Sequence, residues 1–199
     1  MRIITGSARG CNLKTPKGMN TRPTSDRVKE SLFSILGREV VGKRILDIFA
    51  GTGGLGLEAL SRGADHACLV DKATADILKY NAEHTHLADK TEIFRGDVFS
   101  IMGRLSAQGR RFDLVFCDPP YHIGLWEKAL SWLDSSDILA DEALVIVEMG
   151  GDENNIPELV HMRLLRNQQY GKTTQIYIFE YRTSIEQLEL EKDDMEMRK

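Results

Sequence analysis

The sequence predicts an α/β fold in which a mostly parallel sheet has helices on both faces and ends in an antiparallel hairpin. From residue 45 onward, short β-rich segments alternate with amphipathic segments of helix length, as crossover connections between parallel strands require. The last two strand-like segments are separated only by Gln169–Thr174, which is too short for a crossover helix. The 199 residues are 42% hydrophobic and 28% charged, which indicates a folded domain and excludes a disordered chain.

The elements follow in order along the chain. A first helix, capped by Thr24, Ser25 and Asp26, is expected to end near Leu36. The parallel strands are expected at Ile45–Ala50, Ala67–Val70, Glu92–Arg95, Phe112–Cys117 and Ala143–Glu148. The helices between them are expected at Leu55–Arg62, Thr74–Leu87, Phe99–Leu105 and Leu125–Leu133. Met162–Gln168 and Gln175–Tyr181 form the hairpin.

The domain organisation follows from composition. Residues 1–182 are predicted to form one domain, with a basic arm and lead-in helix (1–44) ahead of a core (45–182), and 183–199 to form a frayed or disordered acidic tail. The longest apolar run is Ala143–Val147, so no membrane span is expected. No secretory signal is apparent, and the three scattered cysteines favour free thiols and a cytoplasmic location.

The charge is distributed unevenly. The net charge is −4, but residues 1–44 contain ten Lys or Arg and three acids, so this segment carries +7 and the rest −11. Such asymmetry is typical of a protein with one face that meets phosphate. Glycines and prolines in this segment suggest a mobile extended arm. The candidate nucleic-acid-binding residues are Arg9, Lys14, Lys17, Arg22 and Arg27.

A glycine loop joins the first strand to its helix, with Gly51, Gly53 and Gly56 in the GxGxxG spacing. Asp47 stands in an otherwise apolar strand end, where a carboxylate needs a ligand amine or loop amides as partners. Asp71 ends the second strand, where a carboxylate can accept both hydroxyls of a ribose. These features suit NAD, FAD or S-adenosylmethionine (SAM) equally.

Two further segments follow later strands. Asp97, after the third strand, is placed either to meet an adenine amine or to cap the next helix. Asp118-Pro119-Pro120-Tyr121 follows the fourth strand and combines carbonyl and carboxylate acceptors with a flat ring. This combination suits the exocyclic amine of a stacked base. We therefore predict these four residues to be catalytic, with the ring of Tyr121 mattering more than its hydroxyl.

The segments DIFAGTGG, LVDK, GDVF and DPPY, in this order, resemble those of SAM-dependent amino-methyltransferases with the seven-stranded Rossmann-like fold. The lead-in KTPKGMNTRPTSDRVKESLFSIL is similar to that of the RsmD family, which methylates the guanine N2 amine in small-subunit ribosomal RNA. The resemblance covers residues 1–182. One departure is that family members usually have more basic residues near Ser7, Ala8, Cys11 and Asn12, so fewer RNA contacts are expected there.

The resemblance implies SAM as cofactor and ribosomal RNA as substrate. Because no large recognition domain is visible, we expect a monomer that recognises a folded surface, in an assembled or partly assembled small subunit. Asp71 would hold the ribose, Asp97 the adenine, and the Gly51–Gly54 turn the methionine part, while Arg22 to Asp26 would close over cofactor or substrate. The full set of expected cofactor-binding residues is Asp47, Phe49, Gly51, Gly53, Gly54, Asp71, Lys72, Gly96, Asp97, Val98 and Asp118.

Other functions remain open at this point. A DNA adenine-N6 or protein glutamine methyltransferase would use a similar proline loop, although no added DNA-recognition region is visible. An NAD-dependent oxidoreductase would leave the proline loop and the basic arm unexplained. An inactive RNA-binding module conflicts with the intact motifs.

Several residues invite other roles that we consider less favoured. His84 and His86 lie two apart on an expected helix and point apart, so no metal site is expected. Cys117 is expected to be a buried hydrophobe rather than a nucleophile. His122 is expected to be solvated, and Trp126 and Trp132 to pack in the core.

Overall fold

The computed structural model describes residues 1–16 and 26–184, and these form a seven-stranded sheet with helices on both faces. The strands are β1 (Arg44–Asp47), β2 (His66–Asp71), β3 (Thr91–Arg95), β4 (Phe112–Cys117), β5 (Leu139–Gly150), β6 (Met162–Tyr170) and β7 (Thr174–Tyr181). The helices are α1 (Asp26–Leu36), α2 (Gly56–Ser61), α3 (Ala75–His84), α4 (Val98–Ala107) and α5 (Leu125–Asp134). Short 3-10 helices cover Gly37–Val40 and Ala88–Lys90.

The strand order is β3-β2-β1-β4-β5-β7-β6. Strands β1 to β5 pair in parallel, while β7 is antiparallel to both β5 and β6. The predicted fold class is therefore confirmed. Strand β7, the last strand of the described residues, lies inside the sheet between β5 and β6, so β6 forms one edge of the sheet and β3 the other.

Two hydrophobic cores lie on the two faces of the sheet. One contains side chains of α1, α2 and α3, among them Leu32, Leu57 and Leu78. The other contains side chains of α4 and α5, such as Met102 and Leu130. This division follows from right-handed crossovers, because the chain moves outward from β1 to β3 and then returns to β4 on the other side.

The beginning of the chain is ordered, so the prediction of a mobile arm is wrong for residues 1–14. Backbone hydrogen bonds join Ile3 to Cys11 and Leu13 to Met1, which makes this segment a hairpin. Ile3, Ala8 and Leu13 are buried in the core shared by α1 to α3. Burial of these apolar side chains holds the hairpin in place, while the polar side chains between them remain at the surface.

A buried ion cluster fastens the hairpin to the helices. The carboxylate of Glu58 lies 3.2 Å from Lys29 Nζ and 2.8 Å from Arg62 Nε, and the side chains of Lys29 and Glu58 are fully buried. The same carboxylate accepts the backbone amides of Ile4 and Thr5 at 2.7 and 3.0 Å. Burial lowers the pKa of Lys29, and the charge of Glu58 opposes that shift.

Some predicted features fall outside the described residues. These are Lys17, Arg22, the Thr24–Ser25 cap and most of the acidic tail. Within the described ranges, no helix has the length and apolar character needed to cross a bilayer. Cys11, Cys68 and Cys117 are free thiols, as predicted.

Candidate active site

The predicted motifs meet at one edge of the sheet. Asp47 and Asp71 are the last residues of β1 and β2, and Asp118 directly follows β4. Asp47 is aligned with Leu69 of β2 and Phe116 of β4, so these three strands end at nearly the same level. In an open parallel sheet, this carboxyl edge is where ligands bind.

Three backbone amides orient the carboxylate of Asp71. One oxygen accepts the amide of Gly51 at 3.0 Å, and the other accepts those of Ala73 and Thr74 at 2.7 and 2.8 Å. A carboxylate offers about four acceptor positions, so these bonds fix its direction and leave capacity for a ligand hydroxyl. Asp71 and the glycine loop are thereby joined, as the ribose and methionine assignments require.

Asp47 lies on the floor of this edge. Its carboxylate accepts the Gly56 amide at 3.1 Å, and the side chain is almost completely buried. Burial raises the pKa of Asp47 to about 7, and the nearby charge of Asp71 adds to the shift. The absence of a side chain at Gly56 lets its backbone come close to Asp47. A Cβ at this position would lie 2.3 Å from the side chain of Leu69 and 3.3 Å from the Asp47 carboxylate.

The outer side of the glycine loop is covered by the N-terminal hairpin. Met1 Sδ lies 3.3 Å from the hydroxyl of Thr52, and a Cβ added to Gly54 would collide with it. Asn81, fully buried on α3, was not predicted from the sequence. Its amide group donates to the carbonyls of Thr52 and Lys14 at 2.8 and 3.0 Å and accepts the amide of Lys14 at 2.8 Å.

Asp97 caps α4. Its carboxylate accepts the amide and the hydroxyl of Ser100 at 3.0 and 3.1 Å, and the amide hydrogen bond lowers the pKa of Asp97. The cap that was one of the two predicted roles is thus formed, and an adenine contact by this exposed residue stays a prediction. Of the other expected cofactor residues, Lys72 is exposed, Phe49 and Gly96 are half-buried, and Val98 is buried.

The loop after β4 holds the predicted catalytic residues. Asp118 is half-buried, Pro119 is buried and Pro120 is exposed. Tyr121 is half-buried, and its hydroxyl donates to the carboxylate of Glu148 at 3.0 Å. Burial and then the charge of Glu148 raise the pKa of Tyr121, while Thr174 also bonds to the phenol. The tyrosine ring is therefore fixed by its hydroxyl.

Glu148 was missed from the sequence. It is buried near the end of β5, where Cys117 of β4 pairs with Val147. Asp118 and Glu148 each come directly after a residue of this pair, and the charges of both act on the phenol of Tyr121. The available signal was an acid that directly follows the apolar run Ala143–Val147, but its partner becomes evident only with the strand pairing.

Glu153, also unpredicted, ties the end of the proline loop to the segment after β5. Its carboxylate accepts the His122 amide and the Trp126 indole N–H, both at 3.1 Å, and the Gly150 amide at 2.8 Å. His122 is exposed, as predicted. Trp126 is buried in the core and Trp132 packs against it, as predicted.

The candidate nucleic-acid residues that are described lie on one layer of the molecule. Arg9 and Lys14 are exposed on the hairpin, and Arg27 is exposed on α1. The hairpin and α1 belong to the same core layer as α2 and α3. The structure thus places these three charges on the same side of the sheet.

The sequence-based focus on His84 and His86 overlooked a different group that could hold a metal ion. His66, Cys68 and Glu92 offer ligand atoms within 4.8 Å of one another. Arg110 lies 2.6 Å from the Glu92 carboxylate and 2.9 Å from Cys68 Sγ, so a guanidinium already contacts two of these ligands. Burial raises the pKa of Cys68 to about 12, which disfavours the thiolate that binds metals.

A cavity of about 410 Å³ lies at the amino ends of the parallel strands, opposite the carboxyl edge. It is lined by Arg44, Asp65, His66, Gly109, Arg110, Arg111 and Phe112, residues at or just before the starts of β1, β2 and β4. This cavity does not include the predicted motifs. Cys117, near the motifs, is buried, and burial raises its pKa far above the ordinary value, in agreement with an unreactive thiol.

The sheet order, the amide-held acid at the end of β2 and the proline loop after β4 define a SAM-dependent methyltransferase of the Rossmann-like class. The family model described as Conserved hypothetical protein 95 matches residues 1–179, and the chain belongs to this family.

Relatives whose names state a function agree with this membership. Ribosomal RNA small subunit methyltransferase D of Escherichia coli is 41% identical over 159 residues, covering 79% of this chain and 78% of the relative. The putative rRNA methyltransferase YlbH of Bacillus subtilis is 36% identical, covering 87% and 95% of the two chains. The solved structure of putative methyltransferase yhhF from Escherichia coli has a TM-score of 0.79 at 36% identity, covering 92% and 99%.

Proposed function

We propose that this chain methylates the exocyclic N2 amine of a guanine in small-subunit ribosomal RNA, using SAM. The observation that carries the choice of base is that two carboxylates, of Asp118 and Glu148, both act on the phenol of Tyr121 in the proline loop. Ionised carboxylates only accept hydrogen bonds. The Watson–Crick edge of guanine presents N1–H and N2–H donors side by side, whereas adenine presents a ring acceptor next to its amine. An acceptor-rich site therefore favours guanine.

The residues at the carboxyl edge fit the cofactor. Asp71 has acceptor capacity left for a ribose hydroxyl, and Asp97 is exposed at the start of α4 for the adenine. Asp47 is a buried carboxylate whose hydrogen bonds come from backbone amides. The ammonium of the methionine part would compensate its negative charge. When bound, SAM supplies an electrophilic methyl group.

The chain's own residues orient the acceptor. The target base leaves its stack and lies against the ring of Tyr121, which Glu148 holds in place. The Asp118 carboxylate and the Pro119 carbonyl accept the two amine protons, and the nitrogen lone pair then points toward the methyl group. An aromatic amine needs no prior deprotonation, so the proton leaves after transfer, to Asp118 or to water. Most of the acceleration comes from alignment of the two reactants.

The context of the reaction is also part of the proposal. The names of the relatives support ribosomal RNA as the substrate class, and this substrate implies the bacterial cytoplasm. We propose that a monomer acts on the assembled or partly assembled small subunit. The described residues form one α/β sheet with its helices, and the folded surface of the subunit would supply part of the recognition.

The test is methyl transfer from labelled SAM to small-subunit RNA isolated from a strain that lacks this protein. Naked RNA and small subunits are compared, and the product nucleoside is identified by mass spectrometry. We expect N2-methylguanosine with the wild type, and turnover reduced at least 100-fold in Asp118→Ala while SAM still binds. N6-methyladenosine, methylated DNA or methylated protein in place of methylguanosine would contradict the proposal.

A further inference from the structure

An aromatic side chain on α3 is exposed beside the N-terminal hairpin. Tyr80 is 47% exposed. The ring of His84 is nearly parallel to it, at an interplanar angle of 14° and a centroid distance of 5.8 Å. The ammonium of Lys14 lies 4.8 Å from the centroid of the Tyr80 ring. We call Lys14, Tyr80 and His84 the Tyr80 platform.

We propose that the Tyr80 platform binds an unpaired nucleotide of the RNA substrate, with the base on the Tyr80 ring and a phosphate at Lys14. This inference rests on the proposed function, because it adds a second contact with the same RNA outside the catalytic loop. Single-stranded nucleic acid is commonly bound by an aromatic ring for the base next to a cation for the backbone. An exposed tyrosine flanked by an imidazole and an ammonium offers that combination.

The charge of the neighbouring hairpin favours RNA over an apolar partner. Residues 1–16 contain Arg2, Arg9 and Lys14 and no acidic residue. All three side chains are exposed, and Arg2 forms an ion pair with Asp26 at 3.2 Å. The phosphate backbone of a single-stranded RNA that follows the hairpin from Arg9 to Lys14 would meet positive charge along its path.

The platform is rigidly connected to the cofactor loop. Asn81, the residue after Tyr80, forms two hydrogen bonds with the backbone of Lys14 and a third with the carbonyl of Thr52. Asn81 is fully buried, so the side-chain end of these three bonds lies in the interior of the protein. A nucleotide held on Tyr80 would therefore lie at a fixed distance from the loop that binds SAM, which positions the RNA relative to the methyl donor.

The experiment measures binding of a fluorescein-labelled single-stranded RNA oligonucleotide by anisotropy, at several salt concentrations. Tyr80→Ala should weaken binding by about 5- to 150-fold, the range expected for one stacked base, with little change in the salt slope. Tyr80→Phe keeps the ring and should retain most of the affinity. Lys14→Gln should flatten the salt slope by about 0.7, the value for one phosphate contact on a single strand.

Leu165→Ala is the matched control, because Leu165 is 46% exposed on the edge strand β6. It should bind RNA like the wild type, and both alanine variants should keep the thermal stabilisation by SAM that shows an intact fold. Equal RNA affinity of Tyr80→Ala and Leu165→Ala, or no binding by the wild type, would overturn the platform. Failure of the proposed function would appear separately, as absence of methylguanosine with wild-type protein.

Discussion

The carboxylate of Asp71 accepts the backbone amide of Gly51 at 3.0 Å, so the acid that ends β2 also fixes the loop that follows β1. The bond crosses between two strands that pair in parallel. A change at Asp71 is therefore expected to affect two parts of the proposed cofactor site, the predicted ribose acceptor and the conformation of the glycine loop.

Asp71→Asn should lower SAM affinity by about 10- to 150-fold, which corresponds to about 1.5–3 kcal/mol for a hydrogen bond to a charged group. An amide offers one oxygen, so it cannot accept at both positions that the carboxylate serves. Isothermal calorimetry with SAM measures the change. Asp76→Asn, which alters a mostly exposed acid on α3, is the control. Equal SAM affinities for these two variants would show that the ribose binds elsewhere.

Asp47→Asn should change the pH dependence of stability. The pKa of Asp47 is about 7 in the folded state and near 3.8 otherwise, so the folded protein binds the extra proton between these values. Stability of the unliganded wild type should thus fall as pH rises from about 4 to about 7, by on the order of a few kcal/mol. The asparagine keeps an acceptor for the Gly56 amide. Because it does not titrate, the variant should not lose stability over this pH range.

Melting temperatures from pH 4 to 8, with and without SAM, test this expectation. Without SAM, Asp47→Asn should melt above the wild type at pH 8 and close to it at pH 4. At pH 8, SAM should raise the melting temperature of the wild type more than that of Asp47→Asn, because the carboxylate of the wild type can pair with the ligand ammonium. Parallel curves for the two proteins at every pH would contradict the assignment.

Tyr121→Phe should lower turnover about 10-fold, which corresponds to the loss of a hydrogen bond to a charged group. The sequence suggested that the hydroxyl would matter little, but it bonds to the buried carboxylate of Glu148. Tyr121→Ala should lose a further ~1–3 kcal/mol of base stacking. Single-turnover methyl transfer on small subunits measures both. Wild-type turnover in the phenylalanine variant would restore the view that only the ring acts.

Lys29→Met should destabilise the protein by about 3–5 kcal/mol, because it leaves the buried charge of Glu58 without one of its two cations. Urea unfolding measures the loss. The double variant Lys29→Met with Glu58→Gln should recover part of it, since the uncompensated charge is then removed. Lys90→Met, at an exposed position, is the control, and equal stability of Lys29→Met and Lys90→Met would refute a structural role for the pair.

The strands and the motif loops could be predicted because their signals are local. Apolar runs, glycines and prolines mark Asp47, Asp71 and Asp118 as residues at strand ends, and parallel strands bring those ends together. The positions of Asn81, Glu148 and Glu153 could not be predicted in this way. Each acts on a residue at least 27 positions away, so its role depends on strand register and helix packing.

The N-terminal hairpin shows why the mobile arm was an incorrect expectation. Gly6 was interpreted as a source of mobility, but it has a positive φ of 91°, and a Cβ there would lie 1.8 Å from the carbonyl oxygen of Ser61. The glycine thus permits close packing. Lys29 was also unexpected as a core residue, because a lysine is rarely buried without a partner and Glu58 is distant in sequence.

The location of β7 has a consequence for synthesis of the protein. Strand β7 is the last strand of the described residues, yet it fills the space between β5 and β6. It begins with Thr174, one of the partners of the Tyr121 phenol. A nascent chain on the ribosome has its β1–β4 region complete long before this strand emerges. The loop with the predicted catalytic residues therefore reaches its final form only after β7 has been synthesised. A chain that terminates before Thr174 would lack both the strand between β5 and β6 and a support of Tyr121.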